Sequence, residues 1–337
     1  MKDAPTPKTF DRRQFLVNAT AGATAISAGA FGFPAIAASK KKLTIGYIPI
    51  LDHLLLAISH NQDNPSFKSV NIHPRLFKSW SSLAGALRAG VIDGAFLLSN
   101  FAMDLFNHGV PIRNILVGHR HGSAITVRHG SNIQGAKDLI GKKIAIPARL
   151  STHNALLDTY LRTAGLSLSD VKTHVIAPSH MVNVMKRGGI DAFIVAEPFC
   201  AKAELENVGQ TLVFSKNIIS KHICCIIVLR EEILHNNRDS IQEWVNSLIR
   251  AGNHIDREKT GHGVDKIVKT ASLYMPHSER TILKGLKQPV DRLIYNDLNP
   301  LKSDFQQIVE ISTQAGLMKP VDLDRFTVRE FYDQAET

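Results

Sequence analysis

Short apolar runs alternate with stretches of helical periodicity along most of this chain, and one such pairing occurs twice. Ser82 to Asn100 reads as an amphipathic helix, a basic residue, Gly90, then Asp93 and the apolar run Gly94 to Leu98. His180 to Pro198 repeats it with Lys186, Arg187, Gly188, Asp191 and the run Ala192 to Ala196. Gly90 and Gly188 suit the left-handed residue that closes a helix. The runs after Asp93 and Asp191 have the length and texture of parallel strands covered on both faces. Two copies of one helix–strand unit predict two similar α/β lobes, with the strand ends pointing into a cleft between them.

The remaining pattern fits two doubly wound sheets. In the first half, strands are expected at 43–49, 70–77, 94–98 and 112–117, and helices at 54–60, 82–90 and 101–108. Ser81 or Ser82 is the expected cap of the first repeat helix. The pattern then begins again: a short helix at 134–140, a strand at 141–147, a long helix opening at Ser151-Thr152-His153-Asn154, and a strand at 171–176. Ser123 to Arg128 and Ile223 to Arg230 read as crossing strands that together form a hinge. The helical tail, with segments at 241–254, 264–274, 276–286 and 303–315, is expected on the first lobe. That lobe is therefore discontinuous, residues 40–125 plus 228–337, with residues 126–227 as the second.

The first 37 residues are not fold. Arg12-Arg13-Gln-Phe-Leu16 precedes an uncharged Ala/Gly-rich stretch and Pro34-Ala-Ile-Ala37. This is the layout of a twin-arginine export signal cleaved near Ala37, which implies the Tat export machinery as a partner and a periplasmic protein. No other segment approaches about 20 consecutive apolar residues. The formal charge is +10 over 337 residues, but the basic residues are scattered, with no arginine-rich run or aromatic platform. Nucleic acid is not an expected partner.

Cys200, Cys224 and Cys225 are the three cysteines. Their odd count and spacing are neither a disulfide framework nor a zinc motif. In a strand, Cys224 and Cys225 would point to opposite faces, and core packing is the favoured reading. His119 and His121 have a His-x-His spacing, yet no third metal ligand is in view. No metal or cofactor is assigned.

In open α/β sheets, ligands sit beyond the carboxyl ends of strands, often at helix N-termini. That rule selects Asp52 and His53 after the first strand, Trp80 and Ser81 before a helix, Ser99 and Asn100 after the first repeat strand, and Arg149 with Ser151, Thr152 and His153. A helix N-terminus disfavours a charged imidazole, so His153 is expected to be neutral. Trp80 lies in a polar stretch where it could stack on a ligand, whereas Trp244 lies in an amphipathic helix and reads as core. Glu197 ends the second repeat strand, where it could orient a donor, bind a metal ion or meet a cation. His222 lies at the hinge strand and faces either the cleft or a backbone carbonyl.

The chain resembles the nitrate/sulfonate/bicarbonate family of ABC-transporter substrate-binding proteins and its relatives that bind thiamine precursors. The resemblance is carried by Ile45-Gly-Tyr-Ile-Pro49, Ser79-Trp80-Ser81, the two Gly-x-Ile-Asp units, Ile146 to Asn154 and Val195-Ala-Glu-Pro-Phe199. It implies a two-lobed periplasmic binding protein of type II-like fold that holds a small anion or organic acid. Its partners would be an ABC permease and ATPase. Trp80 falls where nitrate- and bicarbonate-binding members place an aromatic, and Thr152-His153 where they place a His. Their Lys after a His-Pro-Glu stretch has no counterpart here, where the run is His222-Ile-Cys-Cys225. The alternatives are a periplasmic sensor module or an enzyme of the same fold. The fungal thiamine-pyrimidine synthases of that fold carry a Cys-Cys-Cys-Phe-Cys iron motif, of which Cys224-Cys225 is a fragment. No Ser/His/Asp, phosphate-loop or metalloprotease signature is present, so no catalytic residue is assigned.

Overall fold

The computed structural model describes residues 40–335. The expected export signal, residues 1–37, lies outside them. The strands are β1 (Lys41–Tyr47), β2 (Val70–Leu76), β3 (Gly94–Leu98), β4 (Ile112–Val117), β5 (Arg120–His121), β6 (Ser123–Arg128), β7 (Lys143–Ile146), β8 (Lys172–Val175), β9 (Ala192–Ala196), β10 (Gly209–Phe214), β11 (Cys225–Arg230) and β12 (Leu293–Ile294). The principal helices are α1 (Leu54–Asp63), α2 (Trp80–Arg88), α3 (Ser99–Asn107), α4 (Thr152–Arg162), α5 (Pro178–Lys186), α6 (Phe199–Leu205), α7 (Ser215–Ile218), α8 (Glu231–Asn236), α9 (Arg238–Thr260), α10 (Val264–Tyr274), α11 (Glu279–Lys287) and α12 (Lys302–Gln314).

Two five-stranded sheets share one plan. The first runs β2-β1-β3-β11-β4 and the second β8-β7-β9-β6-β10. In each, four strands run one way and the fourth in this order is antiparallel to both its neighbours. The sheets are therefore mixed, not wholly parallel. The antiparallel strand is the one that arrives after the chain crosses over: β6 enters the second sheet and β11 returns to the first. Boundaries at 125/126 and 227/228 cut through both strands. The crossings are instead the short segments on either side of an isolated antiparallel bridge between Arg120 and Ile223.

Local rules account for most elements. Gly90 and Gly188 adopt φ of 69° and 74° and end α2 and α5, as their sequence positions predict. Leu54 to Ile58 of α1 are buried on every side, because that helix lies between the first sheet and α9 and α10. Ser79, not Ser81 or Ser82, caps α2 by accepting from the Ser82 amide. The strand β11 begins at Cys225, so Cys224 stands outside it.

The tail does not pack on one sheet alone. α9 and α10 cover α1, with Trp244 fully buried among Leu55, Ile58 and Leu248 in that core. α11 instead packs on α6, and α12 packs on both α3 and α4. No described helix is long and apolar enough to cross a membrane.

Candidate functional site

The carboxyl ends of β1, β3, β7 and β9 turn toward one another, and the polar side chains that follow them are buried. Asp52 and His53 lie in the 3-10 turn after β1, Ser99 and Asn100 open α3, Thr152 and His153 open α4, and Glu197 follows β9. All are at most 1% exposed. The two halves touch directly there. Ser99 Oγ is 3.2 Å from Thr152 Oγ1, and the Leu51 amide donates to the Glu197 carbonyl at 2.9 Å.

A second set of side chains joins this cluster from the crossing segments. His119 Nε2 lies 3.1 Å from Asp52 Oδ2, and Cys225 Sγ lies 3.8 Å from the same oxygen. His153 Nε2 is 2.9 Å from Ser123 Oγ and 4.0 Å from Cys224 Sγ. His121 and His222 meet edge to face at 5.6 Å between ring centroids. His119, Ser123, Cys224 and Cys225 were not among the residues selected from sequence. The selection rule looks beyond the ends of parallel strands. These residues open the antiparallel strands or lie in the crossings, and only the His-x-His spacing and the adjacent cysteines hinted at them.

Sequence-selected residues sort into three groups. Asp52, His53, Ser99, Thr152, His153 and His222 belong to the buried cluster. Trp80, the first residue of α2, is also buried and packs edge-on to His53 at 5.7 Å. Other polar groups are committed to the fold. Asn100 bonds Ser312 of α12 at 3.0 Å, while Ser151 caps α4 by accepting from the Asn154 amide and donates to the Ala148 carbonyl. Ser81 and Arg149 are exposed and stand outside the cluster. The Arg149 carbonyl accepts from Asn154 Nδ2 at 2.9 Å.

Burial is the main influence on the ionisable side chains of the cluster. Burial, with His119 nearby, lowers His153 to about 3, the direction expected for a neutral donor or acceptor. Burial likewise lowers His53 and His222 well below the usual imidazole value. Burial pushes Glu197 up to about 7, against the opposing pull of Arg292 at 3.1 Å. The Ala201 amide also donates to Glu197 at 3.0 Å, so Glu197 meets a cation and a helix N-terminus rather than open cleft. The three buried cations among the described residues all face carboxylates: Arg292 meets Glu197, Arg120 meets Asp297 at 3.2 Å, and Lys259 meets Asp256 at 2.6 Å.

Several buried polar atoms of the cluster have no protein partner. They are Asp52 Oδ1, His53 Nε2, Trp80 Nε1, His119 Nδ1, His153 Nδ1 and both nitrogens of His222. Buried polar groups are ordinarily paired, so such a concentration marks a place built to meet something else. An open concavity along β10, lined by Thr211, Phe214 and Lys284 among others, lies apart from it.

Comparisons with known proteins agree with this architecture. Residues 37–269 match the model of the NMT1-like family. The chain is 25% identical over 300 residues to the "Nitrate import ATP-binding protein NrtC" of Synechococcus elongatus, covering 82% of this chain and 45% of that protein. It thus spans less than half the length of that relative. It is also 25% identical to the putative aliphatic sulfonates-binding protein of Escherichia coli, over 90% of this chain and 98% of the other. Among solved structures, a zinc-bound ligand-binding component of an ABC-type import system from Staphylococcus aureus superposes with a TM-score of 0.79 at 25% identity. It covers 88% of this chain and 99% of that one.

Proposed function

The chain belongs to the NMT1-like family, and on that premise we propose that it is the solute-binding component of an ABC importer. In this reading it is exported through the Tat machinery to the periplasm. It closes two lobes on a small anion or organic acid of the nitrate, sulfonate and bicarbonate class and delivers it to a membrane permease with its ATPase. It is a binding protein and not an enzyme. The observation that carries the reading is the buried polar cluster at the facing carboxyl edges of two like sheets. There, two helices longer than eight residues, α3 and α4, present their N-termini to one another.

Chemically the site suits a small anion held by neutral donors. Helix N-termini offer free amides and the positive end of a dipole. The unpartnered ring atoms of His53, Trp80, His153 and His222 can add N–H donors without a full positive charge. Closure of the lobes about the crossing segments would bury the solute and form the surface that the permease recognises. Glu197 does not repel the anion in this arrangement, because Arg292 and the α6 N-terminus face it.

A thermal-shift screen of nitrate, bicarbonate, alkyl sulfonates and taurine tests the reading. A solute present at 100 times its Kd stabilises by about 2.7 kcal/mol, a readily measured shift. If none of the four classes raises the melting temperature, the assignment to this solute class is wrong.

A further inference from the structure

We infer that the carboxyl edge of the first sheet holds a thiophilic divalent cation of the zinc class, ligated by Asp52, His119, Cys224 and Cys225. One ligand atom from each of these four buried side chains lies within 4.8 Å of the other three. A tetrahedral zinc ion with bonds of about 2.0–2.3 Å spaces its donors about 3.3–3.8 Å apart, so shifts of about an ångström close the set. Two thiolates, an imidazole and a carboxylate form a donor set suited to zinc and foreign to calcium or magnesium.

The partners of these atoms supply a second, independent argument. Asp52 Oδ1 and His119 Nδ1 have no protein partner although both residues are fully buried. His119 Nε2 sits 3.1 Å from Asp52 Oδ2 and 3.3 Å from the Cys225 amide nitrogen. It can donate to the first or accept from the second but not both, and the other neighbour of Asp52 Oδ2 is the weak thiol donor Cys225 Sγ at 3.8 Å. A core built only for packing gains nothing from a carboxylate set among two thiols and an imidazole with every buried Lys and Arg engaged elsewhere. A cation supplies the missing charge.

Chain topology shows how the ligands converge. Asp52 follows β1, His119 follows β4, and Cys225 opens β11 opposite Leu98, the last residue of β3. Because Cys224 precedes the strand, the two thiols escape the alternation that would send them to opposite faces. All four ligands therefore hang from one sheet, and the second sheet contributes none. The ion is a fixture of the first half, and motion between the halves leaves its ligands together.

The test uses the full chain purified after export, reduced, stripped with chelator and titrated with cobalt(II). The expected result is a thiolate-to-cobalt charge-transfer absorption that saturates at about one equivalent and is abolished by zinc. Cys224→Ser and Cys225→Ser should each weaken it. Cys200→Ser should leave it unchanged, because Cys200 lies against the Ala124 and Val195 carbonyls, away from the set. Zinc X-ray absorption on the unaltered chain, which needs no variant to fold, should show a mixed sulfur and nitrogen/oxygen shell. A shell without sulfur overturns the proposal. So does cobalt that binds with no charge-transfer band while three thiols are counted in the denatured chain, or a Cys224–Cys225 disulfide in the exported protein. The anion screen reads a separate response, so either idea can fail alone.

Discussion

Asp93 and Asp191 occupy equivalent corners of the two halves and make the same two bonds. Asp93 Oδ2 accepts from the Thr44 amide at 2.7 Å, and its carbonyl accepts from the Arg230 amide at 3.0 Å. Asp191 Oδ2 accepts from the Lys143 amide at 2.9 Å, and its carbonyl accepts from the Arg128 amide at 2.9 Å. Asp93 thus ties β1 to the crossing strand β11, and Asp191 ties β7 to the crossing strand β6. Both stand at the amino edge of the parallel strands, remote from the buried polar cluster at the opposite edge.

Asp93→Ala and Asp191→Ala should therefore each destabilise the fold and spare the site. Losing a charge-assisted bond to a strand amide costs about 1–3 kcal/mol. Urea midpoints should fall by similar amounts in the two variants, with solute affinity unchanged in the folded protein. A tenfold loss of affinity in either variant would contradict the purely structural role.

The repeated Gly-x-Ile-Asp unit made the doubled architecture legible, because its glycine, apolar strand and aspartate each answer a local demand. The crossing strands were less legible. β6 and β11 carry the apolar texture of any buried strand, and periodicity does not say which sheet a strand joins or in which direction. The loop residues after strands 1, 3 and 9 could be named from a positional rule. His119, Cys224 and Cys225 could not, because their proximity to Asp52 arises only when the chain crosses twice. The twin lone signals of His-x-His and Cys-Cys are weak in sequence for that reason, and they converge only in three dimensions.

The two tryptophans should respond differently to solute. Trp80 packs on His53 within the cluster, whereas Trp244 is fully buried in the α1–α9 core. Saturating nitrate or alkyl sulfonate, whichever raises the melting temperature, should alter emission in Trp244→Phe and leave Trp80→Phe silent. A His153→Ala/Trp80→Ala double variant should lose the thermal shift as well. Unchanged affinity in that double variant would remove both residues from the site.

Gly122 and Gly109 offer a matched pair of backbone tests. Both have positive φ, 92° and 79°, so alanine costs about 1–2 kcal/mol at either from conformation alone. At Gly109 an added Cβ meets nothing within 4 Å. At Gly122 it would meet Leu293 Cδ2 at 2.5 Å and Asp52 Oδ1 at 2.9 Å. Gly122→Ala should thus cost more than Gly109→Ala and also weaken the solute response by displacing Asp52. Equal chemical denaturation midpoints for the two variants would show that this crossing tolerates displacement.

Glu197 should give the protein a measurable pH signature. Its pKa rises from 4.5 to about 7 in the fold, because burial outweighs the attraction of Arg292. Below 4.5 the carboxyl is protonated in both folded and unfolded chains. Between 4.5 and about 7 the unfolded chain releases the proton while the folded chain retains it, so this group's contribution to stability is lost as pH rises through that window. Above it both states are ionised and the contribution stays flat. Glu197→Gln cannot titrate, and other groups cancel in the comparison. The stability of the unaltered chain relative to this variant should therefore decline from pH 4.5 to 7 and then level off. Arg292→Met should move the folded pKa further up and extend the decline to higher pH, since it removes the one nearby charge that favours the carboxylate. Denaturant titrations across this range measure both curves. A relative stability that rises with pH would mean that Arg292 dominates burial and that Glu197 is held ionised.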